Sequence, residues 1–263
     1  MAEQERPAVE VRDVGLVYQG ADGGTTVALD GLNLTISAGE AVCIIGPSGC
    51  GKSSLLELIA GLRQPNAGMI SVAGVPVMGP RRGTGYIPQG GGLLPWKSAL
   101  GNVGLGLAVQ HAPRSAQLAA ASRALDTVGL SNRAKAYPAE LSGGERQRLA
   151  VARCLAADCD VILADEPFSA LDALTREQMQ AVLLELWQDH GYAQILVTHS
   201  VEEAVWLGQR IVIMAARPGR VHAVVGNPDL GTTGWRDTAE FAAQAAKVRA
   251  LLDEASGAQE PTS

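Results

Sequence analysis

The sequence predicts an α/β fold with an antiparallel β-subdomain at its N-terminus and a helical subdomain inserted into the α/β part, and three patterns carry that expectation. Near the start, Val9 and Val11, then Leu32, Leu34 and Ile36, alternate with polar residues around Gly/Asp-rich turns, as half-buried antiparallel strands do. From Glu40 the pattern changes to short apolar runs with helices after them: Ala41 to Ile45, Val161 to Ala164, Ile195 to Thr198 and Ile211 to Met214. Strands buried on both faces of a parallel sheet read this way. Between about Leu93 and Asp158 the apolar residues recur at helical spacing instead, which marks the insertion.

The individual helices follow from the same periodicity. Leu118, Ala121, Leu125 and Val128 form one stripe behind a cap expected at Ser115. A later helix carries Met179, Val182, Leu183 and Leu186 on one face and stops near Gly191, and Ser200 with Glu203 has capping-box spacing for the next. The last helix aligns Phe241, Ala245, Val248 and Leu252, and a polar tail is expected from Ala255.

Composition narrows the function classes. A chain of 263 residues, 47 % apolar and 18 % charged with 31 glycines, is globular in character and long enough to bury most of its unfolded surface. Its formal charge of -6 argues against bulk binding to nucleic acid or to an anionic membrane, so no nucleic-acid partner is expected. Met1 to Arg6 carries two glutamates with no apolar stretch behind them, unlike a secretory signal, so the chain is expected to stay in the cytosol. The longest apolar runs, such as Ile211 to Ala216, fall far short of the ~20 residues a membrane-spanning helix needs. Any membrane connection must then come through a partner. Cys43, Cys50, Cys154 and Cys159 form no CxxC pair and read as small structural thiols, and the scattered His111, His190, His199 and His222 have no metal-ligand spacing with them.

Gly46-Pro47-Ser48-Gly49-Cys50-Gly51-Lys52-Ser53 fits the phosphate-loop pattern and stands between the run ending at Ile45 and an amphipathic helix through Leu55, Leu58 and Ile59. Glycines there let backbone N–H groups turn inward around a polyphosphate, while the helix N-terminus adds a favourable dipole. Lys52 supplies a mobile cation, Ser53 is suited to ligate Mg2+, and Ser54 completes the nucleotide-binding set. Cys50 lies beside a helix N-terminus and Lys52, both of which lower a thiol's pKa. It is the cysteine expected to alkylate first, unless the loop buries its sulfur. Val161 to Glu166 is an apolar strand ending in two carboxylates at the sheet edge where α/β folds place ligands. Successive strand side chains face opposite ways, so Asp165 suits a contact to Mg2+ and Glu166 a general base acting on water.

Leu141-Ser142-Gly143-Gly144-Glu145 opens a helix through Arg146, Leu149, Ala152 and Leu155, and so presents a second anion site at Ser142, Gly143, Gly144 and Glu145. With this pentapeptide the sequence resembles the ATP-binding cassette (ABC) ATPases, whose signature motif it matches. The resemblance implies a P-loop NTPase (RecA-like) core carrying the two subdomains, a nucleotide-binding domain over 1–225 with its helical subdomain at about 93–158, and a C-terminal helix and tail over 226–263.

It also assigns further residues. Tyr18 matches the aromatic on which adenine stacks, with a half-buried strand tyrosine as the alternative. Gln89 matches the glutamine that reaches Mg2+ and the lytic water, and His199 the switch histidine at the γ-phosphate. Ser169-Ala170-Leu171-Asp172 resembles the loop that crosses a dimer interface, although Asp172 also fits a plain helix cap. The resemblance implies ATP and Mg2+ as ligands, a homodimer closed across ATP, integral membrane permease partners, and through them a periplasmic or extracellular solute-binding protein. The subunit would then sit at the cytoplasmic face of the inner membrane.

Leu93-Leu94-Pro95-Trp96, the run Asp165 to Arg176, and Arg217-Pro218-Gly219-Arg220 are similar to the importer subfamily for nitrate, sulfonate and taurine. A soluble non-transport ABC ATPase and an exporter ATPase are the rival functions. Leu93, Leu94 and Trp96 are expected either to line a groove for a permease helix or to pack within the helical insertion. Three departures from the family pattern stand out: Pro88 before Gln89, three glycines after it, and Ser200 in place of the frequent aspartate.

Overall fold

The computed structural model describes residues 6–20, 23–230 and 234–257, so the first five residues and the end of the polar tail lie outside the described part. The chain forms two compact units, Met1–Arg81 with Ala193–Ser263, and Arg82–Tyr192. In chain order the first segment holds β1 (Val9–Gln19), β2 (Thr25–Ile36), β3 (Ala41–Ile45), α1 (Lys52–Ile59), β4 (Ala67–Val72) and β5 (Val75–Pro76). The second unit holds β6 (Thr84–Ile87), α2 (Ala99–Val103), α3 (Leu105–Val109), α4 (Arg114–Thr127), α5 (Gly143–Leu155), β7 (Val161–Asp165) and α6 (Ala173–His190). The return segment adds β8 (Ala193–Val197), α7 (Val201–Leu207), β9 (Arg210–Ala215), β10 (Arg220–Gly226) and α8 (Ala239–Gly257).

In the first unit an antiparallel sheet runs in the order β2-β1-β4-β5. Val9 faces Ile36 and Val11 faces Leu34 across the β1–β2 ladder, and all four are buried, as their alternation requires. Separately, β3 pairs in parallel with β8 on one side and β9 on the other, and every residue of β3 is buried. That is why the run Ala41 to Ile45 shows no alternation. The antiparallel outer strand β10 pairs with β9 and exposes most of its alternate side chains. Its mixed Arg-Val-His-Ala-Val-Val-Gly composition gives only a weak strand signal.

α8 buries Phe241, Ala245 and Val248, with Trp235 packed edge-on against Phe241 at 5.1 Å between ring centroids. Two details depart from the sequence expectation. Leu252 is only half-buried, and the helix continues through Ala255, which is fully buried, to Gly257.

In the second unit β6 and β7 pair in parallel. Helix α4 starts at Arg114 behind Pro113, whose φ of -57° already suits helix entry, so Ser115 falls inside the first turn and caps nothing. Leu118 is exposed, while Ala121, Leu125 and Val128 are buried as expected. Asp172 accepts the Thr175 N–H at the start of α6, and Gly191, at φ 64°, ends it in the left-handed region where glycine carries no steric cost. Among the described residues no helix is long and apolar enough to cross a membrane.

Candidate functional site

In the first unit the phosphate loop leaves β3 at Gly46, where a Cβ would stand 2.6 Å from the Met214 carbonyl oxygen and 2.8 Å from Cys50 Sγ. Only glycine fits there. Gly51 turns into α1 at φ 90°, and no side chain caps that helix. The first-turn N–H groups therefore keep their capacity for a bound anion. Lys52 Nζ donates to the carbonyls of Gly46 at 2.7 Å and Pro47 at 2.9 Å, which suspends its charge over the loop. Ser53 is exposed at the helix start. A backbone cradle, a mobile ammonium and a hydroxyl are the groups that fit a magnesium-bound polyphosphate.

Cys50 itself is fully buried, and burial raises its thiol pKa although the neighbouring Lys52 pulls the other way. The expectation of an activated thiol is thus overturned: desolvation outweighs the nearby positive charge. Tyr18, at the end of β1, is half-buried; its hydroxyl shares a 2.8 Å hydrogen bond with Ser54 Oγ, and the Arg63 guanidinium lies 4.8 Å from its ring centroid. Arg63 is held in turn by Glu57 at 3.0 Å.

His199 follows β8 and is exposed, while the threonine before it is buried. Glu203 accepts a 2.5 Å hydrogen bond from Thr198 Oγ1, which also accepts from the Ser200 N–H at 3.0 Å. Ser200 Oγ accepts from the Glu203 N–H, so only half of the expected capping box forms and Thr198 takes over the other half. The serine standing for an aspartate still caps α7, so this departure leaves the backbone around His199 pinned on both sides.

In the second unit Asp165 closes β7 and is buried, and Glu166 follows with a positive φ of 48°. Gln89 Nε2 donates to Glu166 Oε2 at 3.2 Å, bringing those two predicted residues together. Gly90, Gly91 and Gly92 all have positive φ, and Arg153 clamps the carbonyls of Gly91 and Gly92 at 2.9 and 2.6 Å. A Cβ on Gly92 would meet Pro88 Cγ at 2.8 Å. The two unusual features beside Gln89 therefore fit each other. Past them, the fully buried Asn102 accepts from the Leu94 N–H and donates to the carbonyls of Leu94, Lys97 and Ser98, which fixes the loop while Trp96 stays 71 % exposed.

Ser142 caps α5 by accepting the Glu145 N–H at 3.1 Å, and Glu145 accepts the Ser142 N–H at 2.8 Å. That bond, with Arg133 at 3.1 Å, holds the Glu145 carboxyl below its usual range. Gly143 and Gly144 begin the helix with Ala170 and Leu171 against them. Asp172 is engaged as the cap of α6.

Several supporting residues had no role assigned from the sequence, in which Gly219 stands out only as part of Arg217-Pro218-Gly219-Arg220. Gly219 stands where a Cβ would be 2.2 Å from the Cys50 carbonyl oxygen, so it permits the close approach of its chain to the phosphate loop. Gln147, buried beneath the signature, and Arg153 are the others. Helical spacing puts Gln147 on the apolar face of α5, and a polar residue on such a face is the one signal that singles it out.

Comparison with known proteins follows the same lines. Residues 29–169 match the ABC transporter family. The chain is 46 % identical over 212 residues to the taurine import ATP-binding protein TauB of Jannaschia sp. (strain CCS1), covering 81 % of this chain and 79 % of that one. It is also 46 % identical over 201 residues to the protein of that name from Escherichia coli (strain K12), covering 76 % and 79 %. Among solved structures, a dimeric ATP-binding cassette in a post-hydrolysis state with ADP and Pi superposes with a TM-score of 0.77 at 32 % identity, over 83 % of this chain and 98 % of the other. Phosphate loop, signature and paired carboxylates, on a fold shared with such cassettes, make this chain a member of the ABC transporter family, an ATP-binding and ATP-hydrolysing subunit that works with Mg2+.

Proposed function

We propose that this chain is the ATPase subunit of an importer for taurine or a related small solute such as a sulfonate or nitrate, acting as a homodimer at the cytoplasmic face of the membrane beneath its permease. The importer reading rests on the 43 to 46 % identity to taurine import ATP-binding proteins. In this reading the nucleotide-binding domain spans 1–225, with 93–158 as its helical part. The loop Gly46 to Ser54 and Lys52 bind the phosphates, and Tyr18 stacks the base. Ser142 to Glu145 complete the partner's site. Ser53, Gln89 and Asp165 hold Mg2+, which when bound neutralises charge on the phosphates.

Glu166 is the general base, and the observation that supports this is its hydrogen bond from Gln89. An amide that donates to one carboxylate oxygen fixes the orientation in which the carboxylate would take a proton from water. His199 steadies the γ-phosphate. Glu166→Gln is expected to keep ATP binding and ATP-dependent dimer formation while lowering kcat by about 10²- to 10⁴-fold, a barrier rise of about 3 to 5.5 kcal/mol. Lys52→Ala should weaken nucleotide binding itself. Equilibrium ATP binding and steady-state phosphate release separate the two, and normal turnover by the Glu166→Gln protein would remove the assignment. Uptake of radiolabelled taurine by vesicles carrying the subunit with its permease tests the solute.

A further inference from the structure

Beneath the signature lies a buried side chain that the proposed mechanism does not use. Gln147 is about one turn into α5, is 5 % exposed, and makes three hydrogen bonds to the chain segment that follows β7. Its Nε2 donates to the Glu166 carbonyl oxygen at 3.2 Å and to Ser169 Oγ at 3.1 Å, and its Oε1 accepts from the Ala170 N–H at 2.9 Å. The amide orientation is fixed by chemistry, because a backbone carbonyl can only accept and a backbone N–H can only donate. Ser169 completes the brace: its N–H and its hydroxyl both donate to the same Glu166 carbonyl, at 3.2 and 3.1 Å.

The carbonyl so held belongs to the residue whose φ is 48°, a conformation that a non-glycine residue keeps only when its surroundings impose it. The same segment carries the signature glycines from the other direction, since Cβ atoms on Gly143 and Gly144 would lie 3.7 Å from Ala170 Cβ and 3.1 Å from Leu171 Cδ2. Signature helix and post-β7 segment thus meet as one close-fitted joint with Gln147 at its centre.

We propose that Gln147 is a positioning residue that holds Glu166 in its left-handed backbone conformation and ties the placement of that carboxylate to the signature helix. The proposal rests on the reading of Glu166 as general base and of Ser142–Glu145 as part of the partner's site. In a dimer the two ends of this joint serve different nucleotides, Glu166 its own and the signature the partner's. A shift of α5 on engaging the partner's nucleotide is passed through the amide to the Glu166 backbone, and hydrolysis at one site then answers to occupancy of the other.

The test uses the full-length chain and steady-state ATP hydrolysis with ATP·Mg2+. Gln147→Met keeps length and flexibility but removes all three bonds, and should lower kcat about 10- to 100-fold with KM changed less than about two-fold, because a misplaced base slows chemistry without weakening nucleotide binding. Ser169→Ala, at an exposed position, should act in the same direction more weakly, and the double variant should lose less than the product of the two, since both brace one carbonyl. Wild-type kcat in Gln147→Met, a loss carried by KM, or strictly multiplicative effects would each overturn the proposal. If Gln147→Met does not fold, wild-type kcat in Ser169→Ala overturns it and a fall in kcat at unchanged KM supports it. Glu166→Gln in parallel separates the layers: if it abolishes turnover while both brace variants are unaffected, only the positioning role fails, and if it turns over normally the reading beneath it fails.

Discussion

Cys50 shows how a single residue can be legible in kind and illegible in state. Its neighbours in sequence, Lys52 and a helix N-terminus, both favour a thiolate, and both are present in the structure. What reverses the outcome is burial: Cys50 Sγ lies close to Gly46, and Gly219, more than 160 residues later, closes on the Cys50 backbone, a contact that local spacing does not carry. Cys154 is likewise buried, its thiol pushed up to about 12, and burial drives Cys43 upward as well. Cys159 alone of the four is partly exposed. Brief alkylation at neutral pH followed by peptide mapping should therefore label Cys159 first and leave ATPase activity intact at low stoichiometry; early labelling of Cys50 would contradict its burial. Trp96 resolves the other way. The sequence left it between core and surface, and the structure exposes it on a loop that Asn102 holds from inside. Trp96→Ala should leave the isolated subunit's stability within about 0.5 kcal/mol, against the about 3 to 5 kcal/mol of a core tryptophan. Permease-coupled uptake should fall, so thermal melting of the subunit and vesicle transport together check the docking role.

Among elements, those bounded by strong local chemistry were readable and those defined by distant partners were not. The α6 boundaries, Asp172 and Gly191, and the cap of α5 at Ser142 follow from residues within one turn of each end. β10 was missed because its strand character comes from pairing with β9, not from its own alternation. The caps carry a pH signature. Glu145 is held below the usual carboxylate range first by the Ser142 backbone N–H and then by Arg133, and Asp172 by the backbone and side chain of Thr175. Because both folded-state pKa values are depressed, the stabilisation is complete above the unfolded carboxylate range near pH 4 and is lost as pH falls through the folded values. Melting temperatures of the wild type and of the Glu145→Gln/Asp172→Asn variant should consequently differ at pH 6 and converge toward pH 3. A constant gap across that range would mean the carboxylate charges contribute nothing.

At the scale of the molecule, the phosphate-loop, signature and carboxylate motifs and their order along the chain made the fold and the family legible, while the braces around them are tertiary facts: Arg153 has no local pattern, Gln147 shows only as a polar residue on an apolar helix face, and the motif that holds Gly219 does not reveal its approach to Cys50. The division into units has its own testable result. A chain ending at Tyr192 retains the whole of Gly46 to Ser54, yet it lacks β8 and β9, both strands that flank β3. It should fail to bind ATP in an equilibrium dialysis measurement, and retained affinity would show that β3 can set the loop unaided. The same topology governs synthesis. Residues 82–192 form their unit from one uninterrupted stretch, whereas the other unit waits for sequence from both ends. On the ribosome, Ala41 to Ile45 emerges as a fully apolar strand that must remain without its two flanking strands while the intervening unit is made. That interval is when the nascent chain is most exposed to aggregation and most in need of a chaperone. The loop that grips the phosphates is translated early and built almost last.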